Sequence, residues 1–235
     1  MIKERLKAFG KVSEAPGQRA WPLLFSGGAG LGKSTLAHLY AIEHGKAFKS
    51  KDASEFALPV DFAGALIHIE EGDVLLLENI HMINAIVEPM LLDLMRSSTL
   101  MVTVNHNEAI QGAAKADVIK LKLPPFTLIG SVSDASRISP RLLEEFLMTC
   151  HFAPYTPQEI AQLLTHQIRQ GEPRLDEEAA LEIGKHSEGV PAKAFKMAEW
   201  VETYCAANSH GTLDKRSTIE ALRVLGYESE NSFTQ

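Results

Sequence analysis

The run Gly27-Gly28-Ala29-Gly30-Leu31-Gly32-Lys33-Ser34 satisfies G-x-x-x-x-G-K-[ST] without a mismatch. Glycines at this spacing let successive backbone N–H groups turn inward and cradle phosphate oxygens, and a helix starting just behind adds its positive dipole end. Lys33 is expected to reach the β- and γ-phosphates, and the Ser34 hydroxyl to ligate Mg²⁺. The candidate binding residues are therefore Gly27, Gly28, Ala29, Gly30, Leu31, Gly32, Lys33, Ser34 and Thr35, with ATP and Mg²⁺ as the expected ligands.

A second candidate stretch is Glu78-Asn79-Ile80-His81, directly after the apolar run Val74-Leu75-Leu76-Leu77. An unbroken run of that kind suits a buried parallel strand. The end of such a strand is the sheet edge at which ligands bind.

The flanks of the glycine run supply the context the motif needs. Pro22–Ser26 is short and apolar enough for a buried strand, and Thr35–Ala41 predicts a helix with Leu36, Leu39 and Tyr40 on one face. Upstream, residues 2–10 place Ile2, Leu6 and Phe9 on one helical face, and 11–20 form a polar connector. Residues 50–62 are polar and mixed, and 63–69 are amphipathic. A helix is predicted over 84–95, burying Ile86, Met90, Leu91 and Leu94. Leu100–Val104 and Val118–Leu123 read as a protruding hairpin. Phe126–Gly130 reads as another buried strand.

From Thr156 onward the pattern is helical only. Thr156-Pro157-Gln158-Glu159 is a capping box with proline in the first turn, followed by a stripe of Ile160, Leu163, Leu164 and Ile168. Asp176 is placed to cap a second helix (Ala179, Ala180, Leu181, Ile183) that ends at Gly189, and Pro191 opens a third running to about Ala207. Asp214 caps a fourth, with Ile219, Leu222 and Leu225 facing inward and Gly226 closing it. The organisation expected is an α/β nucleotide-binding domain over 1–154, built on a parallel sheet, and a small all-α lid over 155–235 with a frayed tail.

Composition bounds the rest. The chain has 235 residues, 45% hydrophobic and 23% charged, with net charge −7. That balance argues against a protein that coats DNA by itself. Cys150 and Cys205 are isolated, which indicates neither a zinc site nor a disulfide framework. No run is long and apolar enough to span a membrane, and a cytoplasmic location is expected.

A phosphate-loop domain followed by a helical lid is the AAA+ layout, and three further stretches resemble the RuvB Holliday-junction branch-migration motors. They are Ile69-Glu70-Glu71-Gly72-Asp73-Val74-Leu75 with Ile80-His81 behind it, Leu123-Pro124-Pro125-Phe126-Thr127-Leu128-Ile129-Gly130, and Ala180-Leu181-Glu182-Ile183 through Gly189-x-Pro191. The resemblance implies ATP-driven work on DNA junctions, an oligomeric ring, and Tyr155 beside the adenine. It also implies a partner protein docking on the hairpin near 100–122, where Met101 and Val102 are candidate contacts. The hairpin's tip is longer and more polar than the family's, and Lys115, Lys120 and Lys122 are too sparse to form a nucleic-acid patch. The family's winged-helix domain has no counterpart in the 235 residues, so contact with DNA is expected to be indirect.

Departures from the family pattern concentrate on hydrolysis. Where the family has Asp-Glu to hold hydrated Mg²⁺ and activate water, this chain has Glu78 and Asn79. Glu78 can still bind the metal, but Asn79 accepts no proton at neutral pH, and loss of a general base removes ~10²–10⁴ of rate. The family's arginine-finger segment aligns with Leu142-Leu143-Glu144-Glu145-Phe146, with Arg137 and Arg141 nearby but out of register. The lid arginine is replaced by Ala192, with Lys193 one position away. Ser133, at the end of the first-sensor strand, keeps a hydroxyl. His81 matches a family histidine and is either catalytic or a hydrogen-bonded helix-start residue, and the 144–145 acidic pair reads as a solvated helix face. Two functions remain open at this level: a motor subunit with impaired hydrolysis, and a non-hydrolysing nucleotide switch or adaptor.

Overall fold

Sheet order is set by which strands can be buried on both faces. The computed structural model describes residues 21–105, 116–168, 175–208 and 213–227. The helix expected at 2–10, its connector, the hairpin tip including Lys115, the chain's last residues and the side chains of Val102 and Ile168 lie outside the described residues.

A five-stranded parallel sheet is built from β1 (Leu23–Gly27), β2 (Phe48–Asp52), β3 (Val74–Glu78), β6 (Thr127–Val132) and β7 (Met148–Phe152), in the order β2-β3-β6-β1-β7. On one face Leu23, Phe25, Val74, Leu76, Ile129 and Cys150 pack with Ala37, Tyr40 and Ala41 of α1 (Lys33–Glu43). On the other, Leu24, Leu75, Leu77, Leu128 and Val132 pack with Phe62 and Leu66 of α2 (Pro59–Leu66) and with Leu91 and Leu94 of α3 (Glu88–Ser97). Burial on both faces is why the inner strands read as continuous apolar runs. The outer strands β2 and β7 do not, and sequence patterning missed both. Phe48-Lys49-Ser50-Lys51-Asp52 is polar because it forms a sheet edge, where charged side chains face water.

Two of the sequence stretches that carry the family resemblance meet here. The Gly72 N–H donates to the Pro125 carbonyl at 2.7 Å, and the Thr127 N–H to the Asp73 carbonyl at 2.8 Å. The buried Asp73 carboxylate accepts from the Glu70 N–H (2.9 Å) and from Lys49 (2.5 Å). Glu-Gly-Asp and Pro-Pro-Phe therefore form one hydrogen-bonded corner that starts β3 and β6 in register.

β4 (Thr99–Asn105) and β5 (Ala116–Lys122) form the expected antiparallel hairpin, from Thr99 opposite Lys122 to Asn105 opposite Ala116. Leu100 is fully buried at its base while Met101 is exposed. Other expectations need correction. Leu39 is exposed, and α1 buries its two alanines and Tyr40 instead. The helix expected from 84 starts at Glu88, because the Asn84 side chain accepts the Ile86 N–H (3.0 Å) in a turn that leaves Ile86 in solvent. Short α4 (Pro140–Leu143) ends before the acidic pair, and Glu145 is no free solvated face: its carboxylate accepts from Arg96 Nε at 2.7 Å.

The chain divides into two compact units. One takes in Lys33–Phe152 with the strand leading to Gly27, and the other joins Gly28–Gly32 to the residues from Ala153 onward. The second unit contains α5 (Pro157–Ile168), α6 (Glu177–His186), α7 (Pro191–Ala207) and α8 (Lys215–Val224). Thr156 and Glu159 cap α5 reciprocally: Glu159 accepts the Thr156 N–H (2.8 Å) and the Thr156 hydroxyl accepts the Glu159 N–H (3.2 Å). Ile160, Leu164, Ile183, Met197, Val201 and Leu222 form its core. Asp214 caps α8 through the Ser217 N–H, whereas Asp176 occupies its N-cap position with no side-chain cap bond. Leu163 and Leu225 are exposed, and Ile219 is only half-buried; α8 turns the small residues Ser217, Thr218 and Ala221 inward with Leu222.

Gly184 of α6 lets that helix approach α5 closely, since a Cβ there would stand 2.5 Å from the Pro157 carbonyl oxygen. Backbone cannot yield as a side-chain tip can. Gly184→Ala is expected to destabilise the helical unit by ~1–3 kcal/mol through overpacking, measured by urea denaturation; an unchanged midpoint would show that the helices separate without cost.

Candidate functional site

Parallel strands end on a common edge, and the chemistry-bearing residues of the first unit collect there. β1 ends at Gly27, β3 at Glu78, β2 at Asp52, and Ser133 follows β6. Lys33 and Ser34 open α1 immediately after the glycine loop, within which Gly30 (φ 76°) and Gly32 (φ 89°) occupy the left-handed region that side chains disfavour.

Lys33 Nζ donates to the Gly27 carbonyl at 2.7 Å, so the ammonium folds back over the start of its own loop. Burial pushes its pKa below the ordinary lysine value, while the Glu78 carboxylate pulls the other way. The Ser34 hydroxyl donates to Glu78 Oε1 at 3.1 Å, and the Ser50 hydroxyl reaches the same oxygen at 3.0 Å. A hydroxyl and a carboxylate oxygen converging at a helix start suit Mg²⁺, which takes few protein oxygens and completes its shell with phosphate and water. Among the described residues, no cluster of three or more His, Cys, Asp or Glu could hold a metal ion by itself.

Asn79 stands next, exposed and left-handed (φ 50°), where the chain leaves β3. Its Nδ2 donates to Asp52 Oδ2 at 2.6 Å. Asp52 was not singled out from sequence; it ends a strand that the polar pattern concealed. Its Oδ1 accepts from the Ser54 N–H (2.9 Å) and hydroxyl (2.5 Å), and these bonds hold its carboxyl below the ordinary range. Ser133 is exposed, and its hydroxyl accepts from Arg137 Nη1 at 3.1 Å, which occupies that out-of-register arginine.

His81 lies in the short helical turn Ile80–Met82, as one expectation had it, but its Nδ1 is buried without a hydrogen-bond partner. It borders a cavity of about 340 Å³ with Glu88, Arg137 and Ser139. Burial first, and the Arg137 charge second, push its pKa below 6.5, with Asp52 opposing.

In the helical unit the Ala192 N–H donates to the Gly30 carbonyl at 3.2 Å, which sets the Ala192 methyl group beside the loop. Lys193 is engaged elsewhere: its Nζ pairs with Glu188 (2.7 Å) and lies 5.2 Å from the Tyr227 ring centroid. Leu31 is buried, and Gly28, Ala29 and Thr35 are exposed. Tyr155 packs against the helical core, its N–H donating to the Gly189 carbonyl at 2.8 Å.

Residues 1–152 match the family described as the Holliday junction DNA helicase RuvB P-loop domain. The chain belongs to that family. It is similar over 97% of its length to the Holliday junction branch migration complex subunit RuvB of Nitratiruptor sp. (33% identical) and of Campylobacter fetus (32%), and it spans 66% of each relative's length. In fold it is similar to the Thermotoga maritima RuvB Holliday junction branch migration motor, with TM-score 0.81 at 23% identity, covering 97% of this chain and 69% of that one. Membership of the RuvB family fits the parallel sheet, the phosphate-loop motif and the hydrogen-bonded corner described above. Among the described residues, no helix is long and apolar enough to cross a membrane.

His81 gives a signed expectation. A histidine held neutral in the folded state leaves the unfolded chain binding more protons, so stability falls as pH drops from about 6.5 toward the lower folded pKa. The charges facing it are Asp52 and Arg137. His81→Gln should flatten that part of the stability–pH curve while leaving the curve above pH 7 parallel to wild type, as read by denaturation midpoints from pH 5 to 8. Identical slopes for both proteins would contradict the assignment.

Proposed function

We propose that this chain is a RuvB-type AAA+ nucleotide-binding unit that binds ATP with Mg²⁺ and hydrolyses it slowly, in service of Holliday-junction branch migration. The observation that carries this reading is the convergence of Lys33, Ser34 and Glu78 at one sheet edge, beside an asparagine where a base would stand. The glycine loop and Lys33 would hold the phosphates, Ser34 and Glu78 the Mg²⁺, Tyr155 the adenine face, and Ser133 a sensor position. When bound, the metal supplies charge at the β- and γ-phosphates. Work on DNA would proceed in a ring of like or related subunits in the cytoplasm. The hairpin β4–β5 would engage a partner protein through its exposed face, which includes Met101 and Lys120.

A second reading, a non-hydrolysing switch or adaptor subunit, is favoured by the combined state of Asn79, Glu145 and Ala192. Glu145 is committed to Arg96, and the cation nearest Ala192 in sequence is committed to Glu188. ATP turnover separates the readings, since both bind the nucleotide.

ATP with Mg²⁺ should stabilise the fold by about 2.7 kcal/mol at a ligand concentration ~100-fold above its dissociation constant, and Lys33→Ala should abolish the rise in melting temperature. An equal rise in that variant would remove the phosphate-loop assignment.

Turnover by the chain alone should lie well below one per second, because an arginine finger is worth ~10³–10⁵ in rate and none is in register. Gel shifts at physiological salt should retain little junction or duplex DNA. Turnover near one per second, or tight and steeply salt-dependent DNA binding, would favour an autonomous motor.

A further inference from the structure

We propose that the carboxylate positioning the attacking water in this chain is Asp52, supplied by β2 in place of an acid at position 79. The proposal rests on the ATP-binding reading above and deepens it. Asp52 is the register partner of Glu78 across the parallel β2–β3 pair, so both acids end neighbouring strands at the same edge. Ser50, two residues before Asp52 and hence on the same face of β2, donates to Glu78. Asp52 Oδ2 accepts the Asn79 amide at 2.6 Å, a charge-assisted distance. A carboxylate only accepts, so Asn79 must turn its Nδ2 toward Asp52 and its Oδ1 away. The pair thus presents an acid and an amide oxygen beside the Mg²⁺-binding edge.

Simpler roles account for each residue separately but not for the pair. Asn79 is left-handed, a conformation asparagine tolerates better than glutamate, which explains an amide there but not a carboxylate facing it. Asp52 caps the turn at Ala53–Glu55, but that task uses Oδ1 and Ser54. Oδ2 is the oxygen directed at Asn79, and it retains lone-pair capacity for a water.

In the step itself, the water oxygen forms a bond to the γ-phosphorus as the bond from that phosphorus to the β–γ bridging oxygen breaks. The electron pair of the broken bond stays on ADP, and the water's proton passes to Asp52 and then to solvent. Glu78, held by Ser34 and Ser50, remains on the metal side.

The test compares wild type, Asp52→Asn, Ser54→Ala, Asn79→Asp and the exchange Asp52→Asn with Asn79→Asp. Readouts are single-turnover phosphate release and, separately, the melting-temperature rise with a non-hydrolysable ATP analogue and Mg²⁺. Loss of Asp52's charge should cut turnover ~10²-fold or to the Lys33→Ala background, with the analogue-induced rise retained. Ser54→Ala, which removes the hydroxyl bond to Oδ1 and keeps the capping N–H bond, should leave turnover near wild type. Asn79→Asp alone should lower the melting temperature without raising turnover, since it sets two carboxylates at hydrogen-bonding distance. The exchange should recover much of what Asp52→Asn loses. Equal turnover in wild type and Asp52→Asn overturns the proposal, as does equal loss in Ser54→Ala and Asp52→Asn. Analogue binding without wild-type turnover above the Lys33→Ala background also overturns it but leaves the nucleotide-binding reading intact. Absence of any analogue-induced rise removes that reading as well.

Discussion

Glu78 Oε1 accepts hydroxyls from Ser34, on the first turn of α1, and from Ser50, on the neighbouring strand. That single oxygen ties together three segments far apart in sequence, and it does so only because β2, β3, β6 and β1 run parallel and end together. The corner formed by Gly72, Asp73, Pro125 and Thr127 fixes where β3 and β6 begin, and strand length then fixes where they end. A one-residue slip at that corner would reverse every side chain on β3 and turn Glu78 away from Ser34. Precision at the phosphate end of the sheet therefore originates at its opposite end.

Much of this was legible in the sequence because buried parallel strands and phosphate loops leave strong, local signals. Val74–Leu77 and Gly27–Ser34 announce themselves by composition alone. The two outer strands did not, because an edge strand is selected to look polar, and β2 carries three charged residues in five. Its concealment had a chemical consequence: Asp52 was passed over although it touches Asn79. The same limit affected helix faces. Leu39, Leu163 and Leu225 fall at helical spacing yet are exposed, because alanine and small polar residues, which periodicity undervalues, allow closer packing against the neighbouring element.

Side-chain pairings also decide what a substituted residue would meet. Arg137 donates to Ser133, and Lys193 to Glu188. Glu145 pairs with Arg96, so an arginine introduced at 145 would confront a like charge before it reached any neighbour. None of these ties is visible from motif spacing.

Asn79 and Asp52 are best considered as a pair rather than as one loss and one coincidence. An asparagine at φ 50° relieves backbone strain of about 1–2 kcal/mol relative to a residue that avoids the left-handed region, so the position has a structural reason to favour an amide. An amide there, however, leaves the sheet edge one negative charge short, and the residue in register with Glu78 is the place nearest to restore it. Asp52 does so at 2.6 Å while its other oxygen accepts the backbone N–H of Ser54, which fixes the carboxylate's plane. A capping residue would be equally effective as serine or asparagine. The charge on Asp52 goes beyond what capping requires, and it ends β2 at the same sheet edge as Glu78.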